Sequence, residues 1–181
     1  MNNDNDLFLK KALELAGDFE PIDPPNDEDW DRTERDIGWR LPAEHKRFVS
    51  HFGSGRFGDD FYMLNPKAKG AGRLNAEALR GYSQRKRRSL SKLSRPIFPE
   101  SSLLLIATTT SGVDCFVDAS QPEGLILFDL DLSKHFELSM SFPEFVYKLY
   151  TDQLSQNWAG DLRQSIWSSS DARFFKPMSN L

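Results

Sequence analysis

The chain has 181 residues, of which 39% are hydrophobic and 28% charged, and its formal net charge is −4. This length suits one domain with its own core, the 14 phenylalanines exclude a disordered chain, and the single cysteine excludes a disulfide framework or a multi-thiolate metal site. The longest apolar run, residues 103–107, is too short to span a bilayer, and the acidic N-terminus does not resemble a secretory signal, so we expect a cytoplasmic protein.

The first part of the chain predicts three helices, over residues 6–16, 26–38 and 41–52. For the first, Asp6 is a plausible N-cap and Gly17 a plausible stop. The second has a favourable cap in Asn26, an acidic first turn and Gly38 at its end, and the third begins at Leu41-Pro42. The third carries a stripe at helical spacing: His45, Phe48, Val49 and Phe52.

The pattern then changes to short strands separated by turn signals, which favours antiparallel hairpins. The predicted strands are 61–64, 103–107, 115–117, 125–130 and 136–138, with a turn at 121–124. Ser141 and Glu144 have the spacing of a capping box, an apolar stripe runs from Phe142 to Leu154, and a weaker helix covers 158–167.

The order of helices, then strands, then helices predicts the α+β class, with a mixed, mainly antiparallel sheet flanked by helices. We expect a helical, proline-rich lead-in over residues 1–25. A single domain follows over 26–181, with a basic helical excursion at 67–95.

Charge is distributed in blocks. Between Lys67 and Arg95 ten residues are basic and only Glu77 is acidic, so the rest of the chain is strongly acidic. An acidic surface attracts basic partners at long range, which makes six carboxylates the candidate partner-binding surface: Asp27, Glu28, Asp29, Asp31, Glu34 and Asp36. The basic segment offers an alternative nucleic-acid contact at Arg85, Lys86, Arg87 and Arg88. Its plainer interpretation is a solvated region that pairs with the acidic one.

No motif predicts catalysis. Residues 53–58 match the spacing G-x-G-x-x-G, but a helix precedes and a strand follows, the reverse of a dinucleotide-binding fingerprint, so we expect a turn there. Cys115 alternates with Val117 and suggests a buried thiol. The remaining candidates lack metal-binding spacing or are expected on a solvated face: His45, His51 and His135, and the pairs Asp114/Asp118 and Asp129/Asp131. We therefore expect no enzyme, no cofactor and no metal site.

An ordered set of short motifs, from about residue 26 to residue 154, resembles the SUKH superfamily, the group around the fungal Smi-one/Knr-four cell-wall regulator. The pieces are Trp30, Ile37-Gly38, Leu41-Pro42, Lys46-x-Phe48-Val49, Gly53-x-Gly55, Phe61–Pro66, Leu103–Ala107, Gly112–Asp118 and Ser141–Val146. The chain departs from the pattern at His45, where the family often has Tyr or Phe, and at Val113, which separates a usually adjacent Gly-Asp pair. The basic segment has no counterpart.

The resemblance implies an α+β domain whose bacterial members typically bind and neutralise a toxin delivered between competing cells. It assigns a set of residues to the fold rather than to a site: Trp30, Gly38, Leu41, Pro42, Gly55, Asp114 and Phe142. We therefore expect a non-enzymatic immunity protein, whose partner is a protein toxin with a basic active-site cleft. The alternatives are a regulatory or scaffold domain of the same fold, nucleic-acid binding through residues 80–95, and an enzyme of another type; a membrane is not an expected partner.

Overall fold

The computed structural model describes residues 3–79, 103–118, 121–129, 134–169 and 172–178. The helices are α1 (Asn3–Ala16), α2 (Asp27–Ile37), α3 (Ala43–Phe52), α4 (Phe142–Tyr150) and α5 (Asn157–Ile166). The strands are β1 (Gly55–Phe57), β2 (Phe61–Met63), β3 (Leu103–Thr109), β4 (Val113–Asp118), β5 (Gln121–Asp129), β6 (Lys134–Leu138) and β7 (Phe175–Pro177). A short 3₁₀ turn covers Gly70–Gly72.

The strands form one seven-stranded sheet in the order β6-β5-β4-β3-β2-β1-β7, and every strand pairing in it is antiparallel. The predicted α+β class is confirmed. Within the described residues, parallel pairing is limited to two isolated bridges outside the named strands, between Ile22 and Gly53 and between Asn65 and Arg73. In the described part of the chain, no helix is both long enough and apolar enough to cross a membrane.

The core lies between the sheet and the helices and is largely aromatic. Phe48 of α3 stacks on Phe57 of β1, with ring centroids 5.6 Å apart. Phe142 and Phe145 of α4 meet Phe61 of β2 at 6.0 and 6.2 Å. Because each of these buried rings contributes roughly 2 kcal/mol through loss of apolar contact with water, this cluster fixes the helices on that face of the sheet.

The predicted lead-in packs onto the rest of the domain. Phe8 of α1 lies against Tyr147 of α4, with ring centroids 5.7 Å apart. Further along, Ser54 donates its backbone N–H to the carbonyl of Ile22 at 2.6 Å. The three-proline linker therefore runs along the domain surface and is tied to it.

Several predicted boundaries are wrong. The first helix begins at Asn3 instead of Asp6, although it ends before Gly17 as expected. Residues 121–124, predicted to turn, begin β5, because proline is tolerated near a strand start and Gly124 adopts a positive φ of 142°. α4 ends at Tyr150, before Leu154.

The sequence patterns did not predict strands β1 and β7, which pair with each other in the register Arg56–Lys176. β1 lies inside the glycine-rich stretch that was expected to be only a turn. A Cβ atom at Gly55 would clash with the Phe175 ring, and one at Gly53 would clash with the Ile22 carbonyl oxygen. The glycines therefore allow close backbone approach, which accounts for them without a phosphate ligand.

Candidate functional site

The N-terminus of α2 is fixed by a reciprocal cap. The Asn26 side chain accepts a hydrogen bond from the Asp29 backbone N–H at 3.0 Å, and the Asp29 carboxylate accepts one from the Asn26 N–H at 3.1 Å. At the other end, Gly38 adopts the left-handed conformation and donates its N–H to Glu34. Both predicted helix ends are confirmed. The cap leaves Asp27 and Glu28 exposed in the first turn, where the helix dipole favours negative charge.

One side of α2 is anchored on α3. Trp30 is only 3% exposed, and its indole N–H donates to the Ser50 hydroxyl at 2.9 Å. Thr33, one turn further on, is also buried. Because this side of the helix is held by packing and a hydrogen bond, the opposite side is presented in a fixed orientation.

The structure divides the six predicted carboxylates into two groups. Asp29 is 7% exposed, forms the cap, contacts Arg32 and lies 3.9 Å from the ammonium of Lys67. Glu34 accepts from the Leu41 N–H and the Lys46 ammonium, both at 2.9 Å, and Asp36 accepts from the Ala76 N–H at 3.0 Å. These three side chains stabilise the fold through hydrogen bonds and ion pairs. Asp36 is nevertheless exposed, as are the other three, which accept none of these bonds: Asp27, Glu28 and Asp31.

A shallow groove of about 960 Å³ lies beside the second half of α2. Its lining includes Asp31, the half-buried indole of Trp39 and the exposed guanidinium of Arg40. Tryptophan and arginine are the residue types that most often dominate the binding energy of protein interfaces. Sequence reasoning missed Trp39, although its place directly after the helix-ending Gly38 was a usable signal. We call Asp27, Glu28, Asp31, Trp39 and Arg40 the α2 surface.

The alternative nucleic-acid contact cannot be placed. Arg85, Lys86, Arg87 and Arg88 lie outside the described residues. In the described part of the basic segment, Lys67 is exposed and its ammonium lies 3.9 Å from the Asp29 carboxylate. This single contact is of the kind that the plainer interpretation expects, and the pairing of the rest of the segment stays a prediction.

His45 is buried in the aromatic core, with 1% of its surface exposed. Its ring meets those of Trp30 and Phe142 edge-on at 6.3 and 5.5 Å, and neither ring nitrogen has a hydrogen-bond partner in the part of the chain that the structure describes. Burial lowers the pKa of His45 from 6.5 to about 3, so the imidazole is neutral at physiological pH. The other two histidines, His51 and His135, are exposed and lie on different elements.

The thiol of the single cysteine, Cys115, is also buried. Cys115 is fully buried in β4, as its alternation predicts. Burial, and to a lesser extent the neighbouring charge of Asp114, raises the pKa of this thiol well above its usual value. The thiolate is the reactive form of cysteine, so Cys115 is chemically inert in the folded protein.

The described members of the two carboxylate pairs lie in the sheet with different degrees of burial. Asp114 was expected on a solvated face but is 1% exposed, because it lies in a central strand, where it accepts a hydrogen bond from the Thr108 hydroxyl at 2.6 Å. Asp118 and Asp129 are half-buried, and Asp131 lies outside the described residues. Among the side chains that the structure describes, no three of His, Cys, Asp and Glu are grouped in a way that could hold a metal ion.

Comparisons of the chain with models of protein families, with curated proteins and with solved structures found no match.

Proposed function

We propose that this chain is a non-enzymatic immunity protein that binds a cognate protein toxin through the α2 surface and thereby neutralises it. The observation that carries the proposal is the rigid presentation of three exposed carboxylates, Asp27, Glu28 and Asp31, on a helix that is capped at both ends and anchored by Trp30. A preorganised surface pays less conformational entropy on binding than a mobile one.

The state of the reactive side chains supports binding over catalysis. Burial lowers the pKa of His45 to about 3, which makes it a weak base, and raises the pKa of Cys115, which keeps it in the unreactive thiol form. Binding needs neither group. What the α2 surface offers is charge, an indole and a guanidinium, which are the means by which one protein recognises another.

A toxin with a basic cleft is the partner that fits this surface. Nucleases carry positive charge where they hold phosphate, and an acidic helix can occupy that region. Attraction between opposite charges raises association rates, and contacts by Trp39 and Arg40 would slow dissociation. The resemblance to the SUKH superfamily points to the same role. The protein would act in the cytoplasm, where a delivered nuclease reaches its substrate.

The test compares two triple variants of equal charge change against the toxin encoded beside this gene. The first is Asp27→Asn, Glu28→Gln and Asp31→Asn. The control is Glu14→Gln, Glu137→Gln and Asp152→Asn, three exposed carboxylates outside α2. We expect the first variant to associate with the toxin about tenfold more slowly at low salt, and the control to differ little from the native protein, since charge steering is local to the interface.

Measuring toxin activity in the presence of excess native protein distinguishes the immunity role from the alternatives. If excess native protein leaves the toxin fully active, the immunity role is wrong, and a stable complex with another protein of the same cell supports the regulatory or scaffold alternative. If both triple variants slow association equally, the interface lies elsewhere on the molecule.

A further inference from the structure

A second concave site lies far along the sheet from β1 and β7, between the sheet and α5. It is a pocket of about 300 Å³, near the lower end of the range for small-ligand sites. Its apolar part is formed by Leu127 of β5 and Leu162 of α5, which are buried, and by Val113 of β4, which is half-buried. Three separate elements therefore hold its base in place.

One wall of the pocket is aromatic. Phe136 of β6 and Trp158 of α5 stack with ring centroids 4.8 Å apart and an angle of 29° between their planes. Both rings are only half-buried. Because they are packed against each other, they form a fixed aromatic wall of which a part stays uncovered, and an uncovered ring face attracts cations.

Negative charge lies at the edge of the same pocket. Asp161 of α5 is exposed, and among the described residues it has no ion-pair partner. Asp129 of β5 is half-buried and faces Lys134 across the strand pair. Among the described residues that line the pocket there is no lysine or arginine. The electrostatic case therefore rests on Asp161, because Asp129 takes part in another interaction.

We propose that this pocket binds a guanidinium group carried on a short apolar stem. The Asp161 carboxylate disfavours anions, and a purely apolar ligand would make no use of its charge. A guanidinium satisfies both parts of the site, since its flat, weakly hydrated cation stacks on aromatic faces and donates hydrogen bonds to carboxylates. The stem lies on the apolar base, as arginine methylenes do elsewhere in proteins.

This proposal is independent of the α2 surface and of the toxin, because its test uses neither. The guanidinium group can come from a free small molecule or from an arginine side chain of another protein. Both sources present the same chemistry to the pocket, so the first experiment tests the chemistry and a second arm distinguishes the source.

Butylguanidine and butylurea are matched probes, because they share shape and stem and differ in charge. We titrate each into the full chain and follow the indole N–H resonance of Trp158, assigned with Trp158→Phe. We expect butylguanidine to shift this resonance with a dissociation constant on the order of 1 mM, about tenfold below that of butylurea. Asp161→Asn should weaken butylguanidine binding about three- to fivefold, and the exposed control Asp152→Asn should leave it unchanged.

For the source arm, a blocked tripeptide with a central arginine is compared with its citrulline equivalent. Binding of the arginine peptide about tenfold tighter than butylguanidine identifies a protein side chain as the source, and equal or weaker binding identifies a free ligand. Equal affinities for butylguanidine and butylurea would overturn the proposal, as would an unaltered affinity in Asp161→Asn or a Trp158 resonance that neither probe moves.

Discussion

The α2 surface differs from the pocket between the sheet and α5, which we call the α5 pocket, in how it uses acidic residues. On α2 the exposed carboxylates stand on a helix beside a wide, shallow groove, and they act at a distance on whatever approaches. In the α5 pocket, Asp161 borders an enclosed apolar base and an aromatic wall. Binding at α2 should therefore be strongly salt-dependent in its association rate, whereas binding in the pocket should depend on shape and on the cation itself.

The two sites also differ in what holds them. α2 is held by the Trp30 indole, by its two caps and by the bonds of Glu34 and Asp36, whereas the pocket is framed by three sheet strands and a helix. A change beneath α2 should therefore alter the first site and leave the second intact, which makes the comparison testable by substitution.

The largest expected effect comes from Trp30→Ala. This change removes a buried indole and its hydrogen bond to Ser50, and we expect a loss of about 3–5 kcal/mol in the free energy of unfolding. Urea denaturation measures it. Trp30→Phe keeps most of the packing and loses the hydrogen bond, so its cost should be about 1 kcal/mol.

Trp30→Phe remains folded and tests the comparison directly. It should weaken toxin binding, because α2 loses its fixed orientation, and leave butylguanidine binding in the α5 pocket at the native value. A variant in which both affinities change together would show that the two regions are coupled and that the comparison is wrong.

The second effect is a pH dependence that originates at His45. The folded protein keeps this imidazole neutral with a pKa of about 3, whereas the unfolded chain takes up a proton below about pH 6.5. Because only the unfolded state gains that proton, stability falls as pH drops from 6.5 towards 3. We expect His45 to remove about 2.5 kcal/mol between pH 6 and pH 4, measured by urea denaturation at each pH.

Carboxylates titrate in the same interval, so the informative quantity is the difference between native protein and His45→Phe. The phenyl ring suits an environment that gives the imidazole no hydrogen bond, and this variant should lack the 2.5 kcal/mol component. The control is His135→Gln at an exposed position, and its free energy of unfolding should change with pH as that of the native protein does. If the free energies of unfolding of the native protein and of His45→Phe change with pH in parallel, this result contradicts a neutral, buried His45.

The features that could be predicted from the sequence are those determined by residues close together in the chain. The cap of α2 joins Asn26 to Asp29, three residues apart, and the stripe of α3 lies on one helix, so both were predicted correctly. The strand pair β1–β7 joins residues more than a hundred positions apart, such as Arg56 and Lys176. Nothing local marks a three-residue strand whose stability comes from such a distant partner.

The candidate site shows the same limit. An acidic run on α2 was visible, but it did not reveal that Glu34 would hold Lys46 and the start of α3. The α5 pocket was not predicted, because its lining comes from separate strands and a helix and has no spacing in the sequence. Burial of Asp114 was missed for a related reason, since a strand's two faces look alike until the sheet is assembled.

The smallest effect, Asn26→Ala, isolates the orientation of α2 from its charge. The change removes the side-chain acceptor for the Asp29 N–H and should cost about 1 kcal/mol in the free energy of unfolding. It alters no charge, so a fraying first turn should weaken toxin binding by a few-fold through faster dissociation, with the salt dependence of association preserved. Asn26→Ser, which restores an uncharged acceptor, should recover the native dissociation rate. If stability recovers and toxin binding does not, the cap contributes only to the stability of the fold. Asp27 and Glu28 would then contact the toxin without being held in place by the cap.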